Sequence, residues 1–170
     1  MKNALMLVTI VLLCGPILMA QGDDGIARAS LKGLSGVTVV IEDIRPDAIQ
    51  DGLSKEEIQT DVGLRLRMAG IKVGDAKASS LLAAGSFGML MVTVNTLKHS
   101  QTEIYAYAVD IDLQQNVTLV RDTQIKIFAS TWSFGNTGMV GASHLSSVRD
   151  DVKDGVDKFI NSWLSVNPKH

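Results

Sequence analysis

Residues 53–73 read LSKEEIQTDVGLRLRMAGIKV, and this stretch carries the signals for a helix start, a helix stop and the strand that follows. Ser54 offers a side-chain oxygen to the first helical turn, Glu57 stands three residues on as its capping-box partner, and Leu53 and Ile58 occupy the two positions of a hydrophobic staple. Ile58, Val62, Leu66 and Ala69 fall on one helical face, and Asp61 and Arg65 are spaced for an ion pair. Gly70 supplies the left-handed residue that stops a helix, so Ile71 is expected to fold back on Leu66, and Ile71-Lys72-Val73 to leave as a short strand. A helix that stops this abruptly in a strand implies a sheet beside it.

Upstream, Val37, Val39 and Ile41 alternate with Thr38, Val40 and Glu42, which predicts a first strand over residues 37–44, ended by Pro46. Strand, helix and strand together predict a right-handed parallel crossover. Downstream, residues 74–88 are small and polar and read as a loop, residues 89–97 are rich in strand formers, and residues 98–102 are turn-like. Tyr105, Tyr107, Val109, Ile111 and Leu113 alternate with Ala106, Ala108, Asp110, Asp112 and Gln114, which predicts a half-buried strand able to run on to Val120. After a turn at Arg121-Asp122-Thr123, Ile125, Ile127 and Ala129 lead a further strand to Trp132, completing an antiparallel meander.

Residues 133–143 change character, with Gly135, Gly138 and Gly141 among small polar residues, and read as a loop. The closing helix follows, with Leu145, Val148, Val152, Val156, Phe159, Ile160, Trp163 and Leu164 in one apolar stripe and Pro168 at its end. The expected fold is α+β: a two-layer sandwich in which two helices cover one face of a mixed sheet of about five strands, as a single domain over residues 36–168. The opposite face, with Asp110, Asp112, Gln114 and Asn116, is left to solvent or a partner.

The first 20 residues read as a secretory leader: Lys2, an apolar run from Ala4 to Leu13, the break Gly15-Pro16, and small Ala20 as the cleavage position. The run is shorter than the roughly 18 to 20 residues that span a bilayer, which argues against a retained anchor. Leu13 before Cys14 departs from the small residue of a lipid-attachment site. The expectation is an exported, soluble periplasmic or extracellular chain, with membrane contact only if the leader is kept or Cys14 is lipidated. Residues 21–35, with Gly22, Gly25 and Gly33, read as a polar tether. Cys14 is the chain's single cysteine, so a cleaved domain has neither disulfide nor thiolate metal site. The net charge of −2, with both signs interspersed, excludes a nucleic-acid footprint.

The segments Gly52-Leu53-Ser54, Leu64-Arg65-Leu66-Arg67 and Ala69-Gly70-Ile71-Lys72-Val73, the strand at Trp132 and the closing FINSWLSVNP of residues 159–168 resemble small exported bacterial proteins of uncharacterised function. The order of elements is similar to the amino-terminal domain of the Tol-system β-propeller protein and to the curli secretion lipoproteins. The resemblance implies an envelope adaptor or assembly component and carries no catalytic motif.

Chemistry has few candidates. Asp110 and Asp112 point the same way, as paired carboxylates for acid–base work or calcium do, but alternating acids on a wet sheet face have the same pattern. His99 falls in a predicted turn and His144 at the start of the last helix, neither in a ligand-spaced pair. No Gly-x-Ser-x-Gly elbow occurs. Gly135, Gly138 and Gly141 recur every third residue before a helix, but not at the spacing of a phosphate fingerprint. Around them Trp132, Phe134 and Met139 form a predicted apolar contact surface, which makes these six residues the candidate binding site. No catalytic residue, metal site or cofactor is assigned. The expected function is a non-catalytic exported envelope protein that binds another protein; the alternative is a small-ligand carrier or cryptic hydrolase with a pocket between helices and sheet, using His144 and Asp112.

Overall fold

The computed structural model describes residues 25–74, 85–99 and 101–168. The predicted leader with Cys14, and parts of the predicted tether and of the predicted loop after residue 74, lie outside them. The described chain forms α1 (Gly25–Ala29), β1 (Gly36–Ile41), α2 (Pro46–Gln50), α3 (Lys55–Met68), β2 (Lys72–Gly74), β3 (Phe87–His99), β4 (Ile104–Leu119), β5 (Asp122–Gly141), a 3-10 turn (Ala142–Ser147) and α4 (Val148–Val166). The five-stranded sheet has the order β2-β1-β3-β4-β5, with β1 parallel to both β2 and β3 and the rest antiparallel. This is the mixed-sheet α+β sandwich expected from the sequence, with the parallel unit and the meander both in place.

The start and stop of α3 form as its sequence dictates. Ser54 Oγ accepts from the Glu57 N–H at 3.2 Å, Leu53 and Ile58 are buried together, Gly70 sits at φ 83°, and the Ile71 N–H donates to the Leu66 carbonyl at 2.9 Å. The ion pairs differ from the expectation. Arg65 pairs with Asp157, and Asp61 accepts from Arg149 Nε at 3.1 Å and Nη2 at 2.7 Å, while Glu57 also takes Arg149. The helical spacing is right, but α4 lies alongside α3, so the Arg149 guanidinium of α4 reaches two carboxylates of α3 at once, more than a same-helix pair allows. Pro46 also differs: it ends the strand region by opening α2 at its first position, where its missing N–H costs nothing.

The core lies between the helices and one sheet face. Val92, Ile111 and Phe134 form one inward row across β3, β4 and β5; Leu90, Leu113 and Trp132 form the next, all buried. Phe159 of α4 meets the Trp132 ring edge-on at 5.3 Å between centroids. Ala27, Leu31 and Leu34 belong to this core, so residues 25–35 pack on the domain, which corrects the predicted tether over them. Leu31 and Leu34 are buried, Trp163 Nε1 donates to the Leu34 carbonyl at 3.2 Å, and Asn167 Nδ2 donates to the Leu31 carbonyl at 2.9 Å. The segment is too short and polar for its periodicity to announce a helix, and the groups that hold it lie more than 120 residues away.

Both tyrosines of the chain face the helices from β4. The Tyr105 hydroxyl donates to Asp51 Oδ2 at 2.7 Å, and burial, then that carboxylate, pushes the phenol up to about 12. The Tyr107 hydroxyl donates to Asp151, and this bond, with burial, likewise pushes it up to about 12. These folded values lie above the ordinary value of about 10, so the stability they contribute is fully present below pH ~10 and is lost as pH rises toward ~12. Phenolate absorbance of the folded chain should therefore titrate near pH 12 and shift to near pH 10 in denaturant. A native midpoint near 10 would contradict these hydrogen bonds.

Candidate functional site

The six residues singled out in the sequence do not form a loop. Residues 133–141 continue β5, paired with β4 from Asp112↔Ser133 to Ile104↔Gly141. Of the glycines in this stretch, Gly138 leaves space that β4 fills. A side chain at Gly138 would place its Cβ 2.4 Å from the Tyr107 hydroxyl, and one at Gly135 would place it 3.2 Å from Asp110 Oδ1. Gly141 ends the strand opposite Ile104. Trp132 and Phe134 are buried, so they are core residues and not a contact surface. Of the predicted set, only Met139 presents a large apolar side chain to the outside, at 73% exposure.

Strand pairing gives Met139 neighbours that the sequence alone did not link to it. Leu97 of β3 pairs with Ala106 of β4, and Ala106 pairs with Met139 of β5. Side chains alternate across a sheet, and the inward rows hold Gly155 of α4 against Phe134 and Ile111, so this row faces away from the helices. Leu97 is 68% exposed beside Met139. With Ile104, the three border a shallow depression of about 450 Å³ at the end of β3 and β4. The signal in the sequence was the alternation of residues 105–113, which put Ala106 on the outer face; it could not supply the register.

Along the same outer face the rows become polar and then acidic: Asn95, Ala108 and Thr137, then Thr93, Asp110 and Gly135, then Met91, Asp112 and Ser133. Burial and the neighbouring Asp112 hold the Asp110 carboxyl above its ordinary value. Asp112 accepts from Ser130 Oγ at 2.8 Å. The face thus runs from an apolar end to an acidic one, with no helix over it among the described residues.

The hydrolase pair is not assembled. Ser143 and His144 follow the end of β5, where Gly141 pairs with Ile104, whereas Asp112 lies eight residues further along β4, about 27 Å at strand rise. The space between helices and sheet, where a ligand pocket was expected, is filled by Trp132, Tyr105, Phe159, Ile111 and Leu113. Among the described residues no group of three or more His, Cys, Asp or Glu is placed to hold a metal ion, and no helix is long and apolar enough to cross a membrane.

No family model matches the sequence, and no curated protein matches it. Among solved structures, a PelC dodecamer from Paraburkholderia phytofirmans is similar over 75% of this chain and 88% of that chain, with 18% identity and a TM-score of 0.45. A second PelC dodecamer from the same organism, in space group P6, is similar over 76% and 89%, with 19% identity and a TM-score of 0.43.

Proposed function

We propose that this chain is a non-catalytic exported protein of the bacterial envelope that docks another protein on the uncovered face of its sheet. The observation that carries the reading is the Leu97, Ala106 and Met139 row, where two large side chains at 68% and 73% exposure stand on adjacent ladders with only an alanine between them. Single exposed apolar side chains are ordinary, whereas a contiguous patch rimmed by polar residues marks an interaction surface. The acidic rows at the other end favour a partner with apolar anchors next to basic residues. Export rests on the predicted leader, and the adaptor or assembly role on the resemblance to envelope proteins.

The test is affinity capture from a bacterial envelope extract with the tagged chain and with a Leu97→Glu, Met139→Glu double variant. Capture of the partner should fall at least tenfold while the thermal midpoint moves by no more than about 2 °C, because neither side chain is in the core. A partner fully retained by the double variant and lost on Leu64→Glu, exposed on the helical layer, would move the docking surface to the other side of the molecule.

A further inference from the structure

The ladder between β3 and β4 stops at Met89↔Gln114, yet β4 and β5 continue pairing as far as Leu119↔Asp122. Residues 115–119 and 122–129 therefore leave the sheet as a two-stranded arm, regular from Gln115↔Ala129 to Thr118↔Lys126 and irregular at its tip, where Thr123, Gln124 and Ile125 have no partner in the ladder. It departs at a bulge, where Thr131 has no partner in the ladder and its hydroxyl accepts from Gln115 Nε2 at 2.7 Å. A bulge bends the strand that carries it. A lone two-stranded ribbon is marginal in water, and this one exposes Ile125, Ile127 and Phe128 at 41–42%.

β5 is also the sheet's edge over all of its 20 residues. Exposed edges are ordinarily guarded by proline, by inward charges or by several lysines. Between Asp122 and Gly141 this edge has no proline and one lysine, Lys126, and the bulge at Thr131, itself an edge-guarding device, lies at the foot of the arm and leaves residues 126–130 regular beyond it. We propose that two copies of this chain pair through the arm, β5 against β5, antiparallel about a two-fold axis at Ile127.

The choice of a second copy rests on self-complementarity. About that axis, within the regularly paired residues 126–130, Ile127 meets its own counterpart and Lys126 meets Phe128. No like charges oppose, and each lysine stem lies over an aromatic ring. Moving the axis to Lys126 would set two ammonium groups against each other. Antiparallel pairing of a strand with itself keeps each face with its own kind, so Ile127, already paired with Val117 on β4, becomes part of one apolar row, Val117, Ile127 and their two counterparts, across four strands. The stripe lies on the arm and not on the Leu97 to Met139 patch, so this pairing stands or falls independently of the docking proposal.

The test uses the full chain with Cys14→Ser, which leaves an introduced thiol as the only one. Sedimentation equilibrium over a micromolar concentration series should show a monomer–dimer equilibrium that Ile127→Asp weakens at least tenfold, with the circular dichroism spectrum unchanged. Ile127→Cys should form a disulfide-linked dimer on mild oxidation. Ser130→Cys should not, because it lies three residues from this axis in the regular part of the ladder and so about 20 Å from its own counterpart. A chain monomeric throughout the series, a dimer indifferent to Ile127→Asp, or equal cross-linking by the two cysteine variants would each overturn the proposal. Pairing of the arm only with a different protein would overturn it as well.

Discussion

Trp132→Ala is expected to cost about 3 to 5 kcal/mol, a large part of the roughly 5 to 15 kcal/mol that holds a domain folded. The indole is 1% exposed, shares an inward row with Leu90 and Leu113, and receives the Phe159 ring edge-on at 5.3 Å. Removing it leaves a cavity between β5 and α4 that rigid neighbours on the sheet cannot fill. Urea denaturation measures the loss directly. Were Trp132 a contact residue on a surface loop, as its place before a glycine-rich stretch suggests, the change would stay within about 0.5 kcal/mol and only partner binding would suffer.

Gly155→Val should be nearly as damaging, by about 3 kcal/mol, for the opposite reason. A Cβ at this position would lie 2.5 Å from the Phe134 ring and 2.7 Å from the Ile111 side chain, so any larger residue pushes α4 off the sheet. Glycine inside a helix costs about 1 kcal/mol relative to alanine, and here the close approach it permits outweighs that cost. Gly155→Ala should fall between the two, because the clash is partly offset by the gain in helix propensity. Thermal unfolding of the three proteins should rank them in that order, and a more stable valine variant would mean that α4 does not seat against Phe134.

These two positions show what could be read locally and what could not. The capping residues, the Gly70 stop and the apolar stripe of α4 act within a few residues of chain, and so the sequence displays them. Gly135, Gly138 and Gly155 act across strands and layers. Gly138 makes room for Tyr107, 31 positions earlier, and without register three glycines in nine residues look like a loop. Leu31 and Leu34 were obscured for the same reason, since Trp163 and Asn167 clasp their segment from the far end of the chain. In the sequence Met139 stands in the company of Trp132 and Phe134. Its place on the surface instead comes from strand alternation, which sends those two rings inward and Met139 outward beside Leu97.

The central claim, that the uncovered sheet face is where this protein meets its partner, is tested most directly by a photo-reactive amino acid placed at position 97, 139 or 64 in the chain expressed in living bacteria. Irradiation should yield the same protein adduct from positions 97 and 139 and none from position 64, with the adduct partner identified by mass spectrometry. Adducts from position 64 alone would contradict the account and put the binding surface on the helices.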